Sequence, residues 1–155
     1  MGNVALSNSI VINRPIREVF DTATCMESCI NWWTMVKEAK KVSDGPTSVG
    51  TEYRHIAKFM GISVESRPVV TKLDPPYLFA YRSGTPSSMM DVEFTFEEVE
   101  GGTKMTVSMD AEPNANVVSQ IVLPLIVNGA NRQFLNDMQG LKDMMESGVK
   151  VRLWD

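Results

Sequence analysis

A chain of 155 residues with 43% hydrophobic and 22% charged residues is long enough to bury the core of one soluble globular domain. Its net charge of −4 and the lack of any basic run longer than Lys40-Lys41 argue against a protein that binds the phosphate backbone of nucleic acids. The longest apolar stretch, IVLPLIV at 121–127, is too short to span a bilayer. The N-terminus also lacks a signal-peptide pattern, so we expect a cytoplasmic protein without an integral membrane segment.

The first 33 residues predict one strand and two short helices. SIVIN at 9–13 alternates like a strand, and Pro15 ends it and suits the first position of a helix. IREVFDTA at 16–23 and MESCINWW at 26–33 then predict the two helices.

The two cysteines, Cys25 and Cys29, lie four residues apart in this helical region. A zinc site needs more ligands than two, and no nearby histidine supplies them. We therefore expect no metal and no cofactor, and we interpret both thiols as small hydrophobic side chains.

Alternating runs separated by turns predict about six further antiparallel strands. Between the last two, EGG at 100–102 is a strong hairpin signal. The six runs are EAKKV, TEYRHIAKF, ISVESRPVVTKL, YLFAYRS, MMDVEFTFEEV and TKMTVSMDA.

From about Asn114 the apolar period changes to 3.6 residues, which predicts one long C-terminal helix. Asn114 or Asn116 suits its N-cap and Gly148 its C-cap. Pro124 indicates that the helix either kinks or begins there. The apolar stripe comprises Val127, Ala130, Phe134, Met138, Leu141 and Met145.

One long helix covers only part of such a sheet, so a twisted sheet that curls around it leaves internal space. The chain has 11 methionines, and several fall on inward-facing positions. They either line an adaptable apolar cavity or simply fill the core, since methionine suits both. We assign residues 1–148 to a single α+β domain and leave the role of the tail at 149–155 open.

An ordered set of motifs across residues 8–147 resembles the START-like polyketide cyclase/dehydrase and lipid-transport superfamily (SRPBCC, Bet v 1-like or helix-grip proteins). The resemblance implies a curved antiparallel sheet of about seven strands wrapped around a long C-terminal helix, with two short helices after strand 1. The motifs are IVINRPIREVFD, Trp33 followed by Val36, VGTEYR, KLDPPYLFAY, FTFEEVEGGTKMTV and LKDMMES.

The resemblance also implies a hydrophobic cavity between the sheet and the C-terminal helix that holds a lipid, sterol, polyketide or similar molecule. We expect a hydrophobic or amphipathic small molecule as partner, and a homodimer stays open. A cyclase or dehydratase that uses the same cavity, and a co-chaperone-like interaction module, are the alternatives. The lack of a ferredoxin-type Cys and His cluster excludes the oxygenases of the superfamily.

The single histidine, His55, shares the inward face of TEYRHIAKF with Tyr53. It is a general base, a residue that orients the ligand, or a core residue with a satisfied hydrogen bond. If it orients the ligand, binding should depend on pH between about 5.5 and 7.5, the window of an ordinary imidazole.

The sequence does not decide whether the side chains of three further polar residues point inward or outward. Glu65 and Arg67 share the parity of Val69, but Pro68 indicates a bulge or edge, so we favour surface salt bridges. Asn131 lies at the edge of the helix stripe, where it bonds a ligand or, as we favour, a strand carbonyl.

Inward-facing aromatic, methionine and polar residues are the candidate ligand contacts, although each aromatic also suits a core. We assign no catalytic residue. The candidates are Trp33, Tyr53, His55, Tyr81, Phe94, Met109, Asn131, Phe134 and Met138.

Overall fold

The computed structural model describes residues 4–59, 61–85, 88–111 and 117–148. It is an α+β fold with eight strands, two α-helices and one turn of 3-10 helix in place of the second predicted helix. The order is β1 (Val4–Ile12), α1 (Ile16–Ala23), the 3-10 turn (Cys29–Asn31), β2 (Val36–Lys41), β3 (Tyr53–Phe59), β4 (Ile62–Ser66), β5 (Val69–Asp74), β6 (Leu78–Thr85), β7 (Ser88–Val99), β8 (Gly102–Ala111) and α2 (Val117–Glu146).

The strands form a five-stranded sheet, β1-β8-β7-β6-β5, and a three-stranded sheet, β2-β3-β4, both antiparallel. The predicted antiparallel α+β architecture is confirmed, with eight strands where about seven were expected and with the strands divided between two adjoining sheets. The predicted run at 62–73 divides into β4 and β5 because Pro68 lacks the N–H that a continuous ladder needs. The two sheets meet at an isolated bridge between Glu52 and Val69, next to a 2.9 Å hydrogen bond from the Tyr53 N–H to the Pro68 carbonyl.

The hairpin predicted from EGG joins β7 to β8. Gly101 has a φ of 88° and Gly102 a φ of 135°, a region that favours glycine. A Cβ atom on Gly102 would also collide with the backbone of Ile12 and Asn13. This end of the hairpin therefore lies directly against the end of β1.

The C-terminal helix α2 begins at Val117, so Pro124 lies within it and the alternative that the helix begins at Pro124 is wrong. It ends at Glu146, and Gly148 has a φ of 78° and donates to the Met145 carbonyl at 3.3 Å, as the C-cap prediction requires. The predicted N-caps at 114 and 116 and the tail at 149–155 lie outside the described residues.

The second half of α2 is fixed to β1 and to the loop after it. The Lys142 ammonium donates to the Val11 carbonyl at 2.7 Å, and Arg14 donates to the Glu146 carbonyl at 3.0 Å. The Asn13 N–H donates to the Glu146 carboxylate at 2.9 Å and lowers its pKa. Beneath these contacts Phe134, Met138, Leu141 and Met145 of the predicted stripe are buried.

Glu65 and Arg67 lie on either side of the junction between the two sheets, and the side chains of both are on the outer surface. Arg54 pairs with Glu65 at 2.6 Å, and Arg67 pairs with Glu52 at 3.0 Å. These are the surface salt bridges that the sequence favours. Within the described residues, no helix is long and apolar enough to cross a membrane.

Candidate functional site

The inner face of the five-stranded sheet is closely covered at one end and partly uncovered at the other. On β7, Phe96, Phe94 and Val92 are 4%, 1% and 0% exposed, whereas Met90 is half-buried. On β8 burial falls in the same direction, from Met105 to a half-buried Met109. We call the region of Ile12, Phe96, Met105 and Leu141 the packed end, and the region of Leu6, Met90 and Met109 the open end.

Strand β1 shows the same gradient and carries a polar link to α2. Ile12 is fully buried, whereas Ile10, Asn8 and Leu6 on the same face are half-buried. Asn8 donates through Nδ2 to Asn131 Oδ1 at 2.7 Å. The prediction that Asn131 bonds to a strand carbonyl is therefore wrong. Its partner is the side chain of Asn8, because β1 places this amide within reach of the helix.

The three-stranded sheet contributes the surroundings of His55. Across the ladders, His55 lies opposite Ala39 on β2 and Ser66 on β4, and Ala57 lies two residues along its own strand on the same face. All three neighbours are small and half-buried. Val64, opposite Ala57, is 41% exposed. On the remaining side Tyr53 shares the face, with its ring 6.4 Å from the imidazole between centroids, so His55 lies between three small side chains and one aromatic ring.

His55 itself is 5% exposed and is bonded through only one ring nitrogen among the described residues. It bonds to the Met26 backbone, whereas Nε2 is buried without a partner. Burial lowers its pKa to about 4, and the bond to Met26 acts in the opposite direction. The ring is therefore neutral at pH 7. We assign the proton to Nδ1, facing the Met26 carbonyl, which leaves Nε2 as an acceptor.

Three buried titratable groups on this side of the fold, Cys29, Tyr81 and Tyr53, stay uncharged at neutral pH. Burial, followed by the neighbouring Cys25, raises the pKa of Cys29 to about 12, and its thiol donates to the Met26 carbonyl at 3.0 Å. Burial, followed by the Cys29 thiol, raises the pKa of Tyr81 well above its usual value. Burial also raises the pKa of Tyr53, whose hydroxyl lies 2.7 Å from Thr47 Oγ1.

Two tryptophans after the 3-10 turn bring aromatic surface against α2. The ring of Trp33 lies 5.1 Å from that of Phe134, 5.7 Å from that of Trp32 and 6.5 Å from that of Phe94, between centroids. Both indole N–H groups are buried without a hydrogen-bond partner in the described structure. The site therefore has unused donors as well as the unused acceptor of His55.

A buried carboxylate holds the segment after the tryptophans against α2. Asp137 is 3% exposed and accepts hydrogen bonds from the Thr34 N–H at 3.1 Å, the Thr34 hydroxyl at 2.8 Å and Gln133 Nε2 at 3.1 Å. Sequence reasoning missed this network. Its one signal is the position of Asp137, three residues after Phe134 on the apolar side of the helix.

A half-open pocket of about 730 Å³ lies on the other side of the five-stranded sheet. Its polar lining includes exposed Lys72 and Glu93, which pair at 3.7 Å, and the hydroxyls of Ser7 and Ser108, 3.2 Å apart. Tyr81 and Val92 also line it but bury their side chains inside, so they reach it through the backbone. Leu6 and Met109 of the open end border it as well. This pocket lies outside the predicted internal cavity but adjoins the open end.

The structure places all nine predicted contact residues on the inner side, but not at one point. Trp33, Phe94 and Phe134 form one aromatic cluster, with Met138 one helical turn beyond Phe134. Met109 and Asn131 are half-buried toward the open end. Those buried to 6% exposure or less are Trp33, Tyr53, His55, Tyr81, Phe94, Phe134 and Met138. Sequence reasoning missed Ala39 and Ser66, because strand register decides which residues flank His55.

Two adjoining antiparallel sheets closed by a long C-terminal helix define a helix-grip protein, the class that the motifs indicated. The family described as polyketide cyclase / dehydrase and lipid transport matches residues 3–146, and the chain belongs to this family. No curated protein sequence matches it significantly.

Solved structures with low sequence identity share the fold over nearly the whole chain. A protein from Thermus thermophilus has a TM-score of 0.78 at 15% identity, covering 95% of this chain and 100% of its own. A START superfamily protein from Mycobacterium smegmatis has a TM-score of 0.76 at 12% identity, covering 93% and 99%. The Zhui aromatase/cyclase from a Streptomyces species has a TM-score of 0.72 at 15% identity, covering 92% and 94%.

Proposed function

We propose that the protein binds a hydrophobic or amphipathic small molecule at the open end, between the inner faces of the sheets and α2. One observation carries the proposal: Leu6, Met90 and Met109 face inward yet stay half-buried, whereas Ile12, Val92 and Met105, further along the same three strands, are fully buried. Apolar side chains left partly uncovered inside a fold are a surface for an apolar ligand. Membership of a polyketide cyclase/dehydrase and lipid-transport family supports it.

The expected affinity is modest. Covering about 300 Å² of apolar ligand surface yields roughly 7 kcal/mol before association costs, at about 25 cal/mol per Å². Micromolar binding is therefore the upper range without polar contacts. Methionine at two of the three open-end positions suits ligands of varied shape, because its side chain adapts to its neighbours.

Two measurements test the proposal. The neutral fluorescent probe N-phenyl-1-naphthylamine should bind the folded protein at a ratio of about one. Native mass spectrometry of protein purified from its own host should show a co-purified small molecule. Absence of probe binding contradicts the proposal, and a co-purified protein instead of a compound favours the interaction-module alternative.

Adjacent residues of β8 supply a matched control. Met109 faces inward at the open end and also borders the outer pocket, whereas Ser108 lies on the outer face of the sheet in that pocket. Met109→Trp should fill the open end and weaken probe binding about tenfold or more, whereas Ser108→Trp should leave it unchanged. The opposite pattern would place the probe in the outer pocket.

A cyclase or dehydratase reaction in the same space is the second candidate, because His55 Nε2 is an unused proton acceptor. A general base works best with a pKa near the working pH, so a pKa of about 4 favours a ligand-orienting role. If His55 is a base, His55→Gln should lower turnover of a cyclisable substrate about 10²–10⁴-fold while binding persists.

A further inference from the structure

We infer that Asn8 and Asn131 together recognise the polar end of an amphipathic ligand, and that this end is an uncharged group that both donates and accepts hydrogen bonds, such as a carboxamide. The inference rests on the proposed function, because it names the ligand class that the open end accepts. It assigns to the two amides a specificity role and no catalytic step.

The register of β1 and β8 places this amide pair beside the open end. Asn8 follows Leu6 by two residues on the inner face of β1, and Leu6 lies opposite Met109 in the ladder. Asn8 itself lies opposite Val107, so Met109 is its diagonal neighbour on the same face. Asn8 therefore borders two of the three side chains that define the open end.

Helix α2 reaches β1 at this point. Near the packed end Lys142 donates to the Val11 carbonyl at 2.7 Å, and nearer the open end Asn131 accepts a hydrogen bond from Asn8, also at 2.7 Å. Asn8 and Asn131 are both half-buried, so the pair is not sealed within the core. A ligand that covers Leu6 therefore meets both amides at its edge.

The pair has unused hydrogen-bond capacity of both kinds. Asn8 donates through Nδ2 to Asn131 Oδ1, and within the described residues neither Asn131 Nδ2 nor Asn8 Oδ1 has a partner. Turning both amides over reverses the bond and again leaves one NH2 group and one carbonyl oxygen. The neighbours of Asn8 on this face of β1, Leu6 and Ile10, are apolar. The two amides are thus the polar feature of an apolar surface.

One free NH2 group beside one free carbonyl oxygen is complementary to a group that presents an acceptor and a donor together. A carboxamide satisfies both amides. An ester satisfies only the NH2 group, and an ionised carboxylate brings a second oxygen against the carbonyl oxygen of Asn8. A polar atom that a ligand covers without pairing loses its hydrogen bonds to water, so ligands that lack the donor should bind more weakly.

Two naphthalene probes of similar size test this inference at pH 7. 2-Naphthamide donates and accepts hydrogen bonds, whereas methyl 2-naphthoate only accepts them. Displacement of N-phenyl-1-naphthylamine from the folded protein measures both affinities. Because the ester is the more apolar molecule, the quantity compared is the amide-to-ester affinity ratio of the wild type and of a variant.

The variant Asn8→Leu/Asn131→Leu replaces both amides by apolar side chains of similar shape. Its amide-to-ester ratio should be about three- to tenfold lower than that of the wild type, the usual range for one net hydrogen bond. The matched control is Ser9→Ala/Thr106→Val, which removes a hydroxyl pair 2.9 Å apart on the outer face of the same two strands. The control should leave the ratio unchanged.

A second measurement does not depend on the folding of the double variant. In the isotope-labelled wild type, 2-naphthamide should shift the NMR signals of the side-chain NH2 groups of Asn8 and Asn131. Binding of 2-naphthamide without these shifts refutes the inference.

The remaining outcomes separate the inference from the proposed function. An unchanged ratio in Asn8→Leu/Asn131→Leu shows that the amide pair only fixes α2 to β1, and the proposed binding at the open end then stands. A ratio that falls equally in the control refutes the assignment to this pair. Failure of N-phenyl-1-naphthylamine to bind the wild type removes the proposed function together with the inference.

Discussion

Met105 and Met109 lie four residues apart on β8 and point to the same side of the sheet, yet Met105 is fully buried and Met109 is half-buried. Residue type, strand and face are identical, so the difference arises from what covers each position. Met105 lies beside the buried Phe96 in the β7-β8 ladder and belongs to the same buried cluster as Leu141 of α2. The comparison shows that one continuous inner surface serves as core at one end and is available for a ligand at the other.

The largest change in the free energy of unfolding is expected for a substitution at Phe134, where the packed part of α2 begins. Phe134 is 2% exposed and lies against both Trp32 and Trp33, with ring centroids at 6.1 Å and 5.1 Å. Phe134→Ala should lower the free energy of unfolding by about 3–5 kcal/mol, because it opens a cavity in a covered aromatic cluster. Urea denaturation of the variant and of the wild type measures this loss of unfolding free energy. A loss below about 1 kcal/mol would mean that the open end extends to this residue.

The two methionines of β8 give the direct test of the comparison. Met105→Ala should cost about 2–5 kcal/mol of unfolding free energy, the usual range for a buried methionine. Met109→Ala should cost about 1 kcal/mol, since part of its surface is already uncovered, and should change probe affinity. Parallel urea melts and probe titrations measure both. Equal losses with unchanged probe binding would show that the whole inner surface is core.

His55 should make stability depend on pH below neutrality. Its pKa is about 4 when folded and about 6.5 when unfolded, so the unfolded state binds more protons between these values. Stability should therefore be fully present above about pH 6.5 and fall by about 3 kcal/mol as the pH approaches 4. The sequence-based binding window of pH 5.5–7.5 moves to lower pH for the same reason.

The measurement for His55 compares wild type with His55→Gln by urea denaturation from pH 4 to 7.5. Carboxylates also titrate in this range, so the difference between the two proteins isolates the histidine. A difference that does not change with pH would show that His55 is solvated and keeps an ordinary pKa.

The smallest change in the free energy of unfolding is expected for a substitution on the outer surface of the three-stranded sheet. Arg54 and Glu65 pair at 2.6 Å, but their side chains are 41% and 46% exposed. Glu65→Gln should change the free energy of unfolding by no more than about 1 kcal/mol, and salt should reduce the difference. A larger loss would show that the outer face also contributes to the site.

Local patterns predicted much of this fold. The alternation of TEYRHIAKF placed Tyr53 and His55 inside, EGG marked the β7-β8 hairpin, and the 3.6-residue stripe placed Phe134 and Met138 in the core. Each prediction depends on neighbours within a few residues in the sequence, where spacing determines direction.

The missed features depend on contacts between distant segments. Asp137 and Thr34 are 103 positions apart, and Asn8 and Asn131 are 123 apart. The small residues beside His55 become visible only once the registers of β2, β3 and β4 are known. A sequence without these registers identifies the histidine but not its neighbours on the sheet.

The junction at Pro68 has a consequence for how the molecule opens. Strands β2, β3 and β4 pair with one another, and within the described residues their ladder meets β5 at the bridge between Glu52 and Val69, where three backbone hydrogen bonds join residues 50–53 to residues 68–70. This junction is shorter than the ladders within either sheet, so we expect the three-stranded sheet to separate from the larger sheet as a cooperative unit at a lower cost than global unfolding. Amide hydrogens of β3 should then exchange with solvent before those of β7 and β8. Sub-global opening of this kind would give a molecule in bulk water a route to the imidazole without unfolding the hairpin.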